Sequence, residues 1–232
     1  MSDQGASPVL VLLLGDSRLP SGAHAHSGGA EQAVAAGLVE DTATLADFLE
    51  GRLEAGIALE AHAAAASCHV LVPGDSAASA LPALEALDEA IDARLASPAA
   101  RASSRRQGAH HLAATRRIVP SGAVELVGSV RPDPHLCVAV GAACAGLGLS
   151  PATAAGIVAY QSLAGAASAA LRLLGLDPVA VSGLLARLAP ACEALAAAAG
   201  AQADGPLPAR AGPGLDRLME LHRQRKERLF AS

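Results

Sequence analysis

Three groups of residues in this chain are of types that could do chemistry. Gly15-Asp16-Ser17 follows the apolar run Val9–Leu14, as a buried strand delivers the nucleophile in some serine hydrolases. The same stretch also reads as a helix end followed by a Leu19-Pro20 turn and a loop bearing His24 and His26. The cysteines Cys68, Cys137, Cys144 and Cys192 are the third group, and none is paired at CxxC spacing.

The hydrolase reading makes demands that the chain does not meet. It needs strands alternating with helices, oxyanion donors that commonly include an asparagine, and a histidine base held by an aspartate. There is no asparagine, and no histidine has an aspartate three residues before it. The tripeptide recurs at Gly74-Asp75-Ser76, where it looks like a helix cap. Nucleotide hydrolysis is excluded more simply, because a P-loop needs a lysine in a glycine-rich turn and the only lysine is Lys226.

His24 and His26 would point to one side of an extended loop and could share an ion, but on a helix they would diverge. A tight transition-metal site wants three or more ligands, and no segment supplies three. His110-His111 and the His62/Cys68/His69 region are weaker candidates, so a transient or interfacial site at His24 or His26 is the metal reading kept. Cys137 and Cys144 are seven apart, one helical face, and all four cysteines read as buried free thiols.

The elements that must position these residues read as helices. Of the 232 residues, 52% are hydrophobic, yet only Phe48, Tyr160 and Phe230 are aromatic, so the core must be built from Ala, Leu and Val. Small side chains suit closely packed helices better than sheets. The predicted fold is all-α, a single compact helical domain of about 8–10 helices. A net charge of −5 and the scarcity of aromatics argue against nucleic acid. The run Leu136–Leu171 holds no charged residue, which leaves a membrane span and a pair of buried central helices as alternatives. Its many Ala and Gly favour the buried helices, and with no secretory leader pattern before Val9 the expected compartment is the cytoplasm.

Along the chain, helix is predicted from about Gly29 to Leu38. A second stretch, capped by Asp41 or Thr42, carries Leu45, Leu49, Leu53 and Ile57 toward Val70. Leu84, Leu87, Ile91 and Leu95 form another stripe. Ser97-Pro98 opens a basic helix, Val119–Val130 reads as irregular, and Asp177-Pro178 starts the last long helix. The organisation expected is a helical domain over 1–203, a Pro/Gly linker over 204–214 and a C-terminal tail over 215–232.

Several segments together resemble one family. Asp16, Ser17, Leu19, Pro20, Gly22, His26, Ser27, Gly29 and Glu31 are similar to the N-terminal signature of the urease accessory protein UreF family. Arg101, Ser104 and Gly108 match its Arg-x-x-Ser-x-x-x-Gly. Ser168, Arg172 and Leu173 match a later segment, and His222, Arg228, Leu229, Phe230 and Ser232 resemble its ending. The matches run in order over nearly the whole chain. His24 stands where the family carries an aromatic, and Ala30 where it carries leucine.

The resemblance implies a non-enzymatic urease maturation factor that is all-helical and forms a homodimer. It implies a bridge between a UreD/UreH-type accessory protein and a UreG-type GTPase, with nickel passed to apo-urease by the complex. No cofactor would be bound tightly, and GTP would belong to the partner GTPase. On this reading Asp16, Ser17, Leu19, Pro20, Gly22, His24, His26, Ser27, Arg101, Ser104, Arg172, His222, Arg228, Leu229, Phe230 and Ser232 are candidate partner contacts. Arg228 and Phe230 are the favoured ones, and the loop Asp16–Ser27 is expected near the tail.

Overall fold

Helix starts are encoded as cap residues, and the computed structural model, which describes residues 7–20, 25–72, 77–210 and 212–231, shows them in use. Asp41 caps α3 (Thr42–Arg52): its carboxylate accepts Thr44 N–H at 2.8 Å, while Thr44 Oγ1 accepts Asp41 N–H at 3.1 Å. Ser97 caps α6 (Pro98–Ile118), Ser150 caps α9 (Pro151–Leu174) and Asp177 caps α10 (Pro178–Ala201). Each of these last three is followed by proline at the first helical position, where its missing N–H costs nothing.

The remaining helices are α1 (Pro8–Gly15), α2 (Ala30–Ala35), α4 (Ala58–Val70), α5 (Ala77–Arg94), α7 (Gly122–Val130), α8 (Leu136–Gly146) and α11 (Pro213–Gln224). A π turn over Leu53–Ile57 joins α3 to α4 as one rod. Among the described residues there is no strand, only an isolated parallel bridge between His26 and Ala231. The expected all-α architecture is therefore observed, and the sheet that the hydrolase reading requires is not present in the described residues. Val9–Leu14 is helix, not strand.

One expectation is corrected. The sequence of Val119–Val130 looks irregular, yet Gly122–Val130 is helical. Ser121 caps it, its Oγ accepting Val124 N–H at 3.3 Å, and Val124 and Val127 are buried one turn apart. The two glycines and short length hide this period from a sequence reading.

α4, α8 and α9 form the centre. One apolar cluster joins α4, α5, α7 and α8 through Leu59, Leu84, Ile91, Val127 and Val140. A second joins α2, α3, α9, α10 and α11 through Ala33, Leu45, Leu163, Leu184 and Leu218. A third, of Ala61, Ala65, Ala155, Ala196, Ala199 and Ala203, is nearly all alanine methyls. Small residues let the rods approach closely: a Cβ at Gly141 would sit 2.6 Å from the Ala64 carbonyl oxygen. This is how a core nearly without aromatics reaches protein density. Cys68, Cys137 and Cys144 are buried free thiols and Cys192 is half-buried and free, so the thiol expectation holds for three of the four in full. Burial pushes Cys68 up to about 12.

α9 and α10 are each long and apolar enough to cross a membrane by length and composition. α9 is a core helix, flanked by α4 and α10, whereas much of α10 faces outward. The segment 204–210 runs along the body, with Leu207 inserted in the first cluster and Arg210 donating to the Glu54 carbonyl at 3.1 Å.

Candidate partner-docking site

The N-terminal loop and the C-terminal tail meet around one carboxylate. Gly28 and Gly29 both take positive φ, +57° and +88°, a turn that L side chains resist, and it delivers the chain into α2 with Glu31 facing inward. Arg52 Nη1 donates to the Gly28 carbonyl and holds that turn from α3. Glu31 is 4% exposed. Its Oε2 lies 2.7 Å from His222 Nε2 and accepts Phe230 N–H at 3.1 Å, while Oε1 accepts Leu229 N–H at 2.7 Å. Burial alone would raise this carboxyl. The Leu229 N–H, the His222 ring and the Phe230 N–H outweigh burial and hold it below the ordinary glutamate range.

Ala231 N–H then donates to the Ala25 carbonyl at 2.7 Å, pairing the tail with the loop beside His26. His26 Nδ1 lies 3.0 Å from Ser103 Oγ on α6. Phe230 is 7% exposed, packs in the second apolar cluster, and lies under the Arg172 guanidinium at 4.6 Å from its ring centroid. Leu229 projects outward at 80% exposure, and Arg228 is exposed. Of the loop Asp16–Ser27 expected near the tail, residues 25 and 26 are seen to meet Ala231, and residues 21–24 lie outside the described residues.

The other candidates divide by surroundings. Ser17 and Pro20 are exposed, and Asp16 binds Arg18, with Arg18 Nη2 2.6 Å from Asp16 Oδ2. Leu19 and Ser27 are buried. His222 is buried against Glu31. Gly22, His24 and Ser232 lie outside the described residues. Arg101 donates to the Leu95 and Ala96 carbonyls, closing the end of α5. Ser104 faces inward, its Oγ 3.0 Å from His135 Nδ1 and accepting Leu136 N–H at 3.3 Å. Among the described residues no group of three or more His, Cys, Asp or Glu is placed to hold a metal ion.

A Ser–His–Asp chain does form, but not at Ser17. His135 Nε2 lies 3.0 Å from Asp92 Oδ1, and its Nδ1 faces Ser104. Burial and the Arg105 charge hold His135 below the ordinary histidine value. The neutral ring that follows donates from Nε2 to Asp92 and accepts the Ser104 hydroxyl at Nδ1, an assignment made from the network. Arg105 bridges Asp88 and Asp92 at 2.9 and 2.6 Å. Ser104 Oγ is committed to the first N–H of α8 and His135 is fully buried, so this chain clamps α5, α6 and α8 together. Sequence reasoning missed His135 and Asp92: neither stands in a local pattern, because their partners are 31 and 43 residues away. Glu31 was visible as a signature match but not as the group that binds the tail.

The two ends of the helical body are thus joined at one buried carboxylate. A family model described as UreF matches residues 39–189. The urease accessory protein UreF of Mycolicibacterium vanbaalenii is 41% identical over 227 residues, covering 98% of this chain and all of that protein. Its counterpart in Mycobacterium tuberculosis strain H37Rv is 40% identical over 226 residues, 97% of this chain and 99% of that one. That in Mycobacterium sp. strain JLS is 41% identical over 223 residues, 96% and 97% of the two chains. The chain belongs to the UreF family of urease accessory proteins, which associates it with urease maturation.

Proposed function

We propose that this chain is a non-catalytic urease maturation factor acting in the cytoplasm. It bridges a UreD/UreH-type accessory protein and a UreG-type GTPase, as a homodimer, and helps to pass nickel to apo-urease. The observation that carries this reading is the joining of both signature segments at Glu31: the family's N-terminal motif holds the family's C-terminal motif by three hydrogen bonds. Leu229 and Arg228 face out from this joint and supply the contact, while Phe230 and Arg172 set the tail's position from below. Nickel is cargo here, and His26, with His24, is the place for a transient ligand. The GTP site belongs to the partner, in keeping with a chain whose one lysine is Lys226.

The test is co-purification of the cognate UreD-type protein and GTPase with the intact chain and with Arg228→Ala/Leu229→Ala. Complex formation by the intact chain and its loss in the double variant is the expected result. Equal recovery would move the interface away from the tail, and failure of the intact, folded chain to bind either protein would remove the maturation role.

A further inference from the structure

α10 is about 36 Å long and apolar, yet only 17% of its apolar stretch is buried, against 56% for α9. Leu184, Leu188 and Ala199 hold its inner face in the core. The opposite stripe runs through Val179, Ala186, Pro190, Ala194 and Ala197, all exposed, Val179 at 78%. The apolar surface continues onto the neighbouring helices. Gly156 lies against Ala196 and Gly200 against Ala152, so α9 and α10 run antiparallel and Tyr160 of α9 comes level with Cys192. Tyr160 is 52% exposed. The adjacent Gln161 donates from Nε2 to the Leu14 carbonyl at 2.6 Å, which brings α1 alongside, with Leu12 72% and Val9 70% exposed. A soluble monomer rarely leaves so long an apolar face bare. α1 carries no charged residue, and α10 carries two, Arg187 and Glu193. Both stand on the outer face, three residues either side of Pro190, and neither has an ion pair or hydrogen bond among the described residues.

We infer that this face is covered by the same face of a second copy of the chain, α10 packing antiparallel on α10 about a two-fold axis at Pro190. The inference rests on the homodimer reading above and names the surface and the residues that make it. The argument for a second copy is charge complementarity. A two-fold axis at Pro190 sets Arg187 of each copy level with Glu193 of the other, so that one arrangement pairs all four charges. It also sets Ala186 level with Ala194, and methyl groups on both sides let the helix axes approach closely enough for the longer side chains to reach across. A parallel pairing sets like charges together, which costs affinity. A lipid surface leaves both charges without a partner in an apolar medium. The apolar area, with Val179, Tyr160 and the α1 leucines at its margins, supplies the driving force, and the two ion pairs fix the register and direction. An interface of this kind is closed by its own symmetry and stops at two copies.

The test is sedimentation velocity of the full chain over a range of concentrations, with Arg187→Glu, Glu193→Arg, the exchange Arg187→Glu/Glu193→Arg, and Ala194→Arg. The parent chain is expected to be a dimer. Each single reversal sets like charges opposite one another and should weaken the dimer at least tenfold. The exchange restores both pairs and should recover most of that loss. Ala194→Arg puts a long side chain where two helices pack closely and should leave a monomer. All four variants change exposed residues, so their circular dichroism should match the parent. A dimer undiminished in the single reversals and in Ala194→Arg overturns α10 as the surface and leaves the homodimer reading standing. An exchange variant as weak as the single reversals overturns the antiparallel pairing. A parent chain that is monomeric at every concentration overturns the pairing and the homodimer reading together, while co-purification with the UreD-type protein and the GTPase still decides the maturation role. Flotation of a monomeric chain with phosphatidylcholine vesicles would overturn the pairing by assigning the face to a membrane.

Discussion

Glu31 is the residue on which the two termini depend. Glu31→Gln replaces an acceptor-only group by one that presents an amide donor to backbone N–H donors. Hydrogen bonds to a charged group are worth about 1.5–3 kcal/mol, so a loss of about 2 kcal/mol is expected by urea unfolding. Amide exchange at Leu229 and Phe230 should accelerate before the rest of the chain, and unchanged protection there would refute the role. Because the folded carboxyl is depressed, its contribution is present above the ordinary glutamate value of 4.5. It is lost as the pH falls through the lower folded value, so the tail should loosen in acid. His111 behaves differently. It is fully buried on α6, and neither ring nitrogen has a hydrogen-bond partner among the described residues. Burial pushes it down to about 4 from 6.5. Below 6.5 the unfolded chain takes up a proton that the folded chain refuses, so stability falls as the pH drops toward 4, by up to about 3 kcal/mol. His111→Leu should flatten that part of the stability–pH curve and raise stability at pH 7. A curve of unchanged slope would show that another group titrates there.

Among the elements, α6 shows how close packing is enforced. A Cβ at Gly108 would lie 1.9 Å from the Pro134 carbonyl oxygen and 2.9 Å from Leu136 N, both backbone atoms that cannot step aside. Gly108→Ala should therefore push α6 off α8, weaken the Ser104–His135–Asp92 chain and cost at least 1–3 kcal/mol, roughly. Gly165, within α9, meets nothing within 4 Å. There Gly165→Ala should add about 0.5–1 kcal/mol from helix propensity alone. Opposite signs in thermal melts of these two variants would support the packing account, and like signs would contradict it. The same logic explains the match to the family's Arg-x-x-Ser-x-x-x-Gly. Arg101 closes α5, Ser104 caps α8 and Gly108 admits its backbone, three structural tasks on one helix face.

For the whole molecule, the tail is part of the body it leaves. Leu218 and Phe230 belong to the second apolar cluster, and His222 is buried. A chain ending at Gly214 should melt several degrees lower, since losing each buried large side chain costs about 2–5 kcal/mol. Arg228→Ala/Leu229→Ala touches only exposed groups and should melt within about 0.5 kcal/mol of the parent. Loss of the accessory complex in both, with stability lost only in the first, separates docking from folding. A double variant that melts like the truncation would show that Arg228 and Leu229 are structural.

What the sequence alone determined is local. Asp41, Ser97 and Asp177 announce helix starts because a cap bonds within three residues. Apolar residues three and four apart announce the buried faces of α3–α5, and the family's motifs are legible because they are contiguous. Where two glycines blur the period, as in Gly122–Val130, the local signal fails. What only the tertiary structure decided is which distant groups meet. Glu31 with residues 222–230, His135 with Ser104 and Asp92, and Arg106 beside Arg223 and Arg228 are pairings across dozens to almost two hundred residues. Nothing in a residue's own segment specifies such a partner. It follows from how α6, α9 and α11 stack once their alanine and leucine faces leave water, and the direction of a buried carboxylate or a surface guanidinium is set by that stacking.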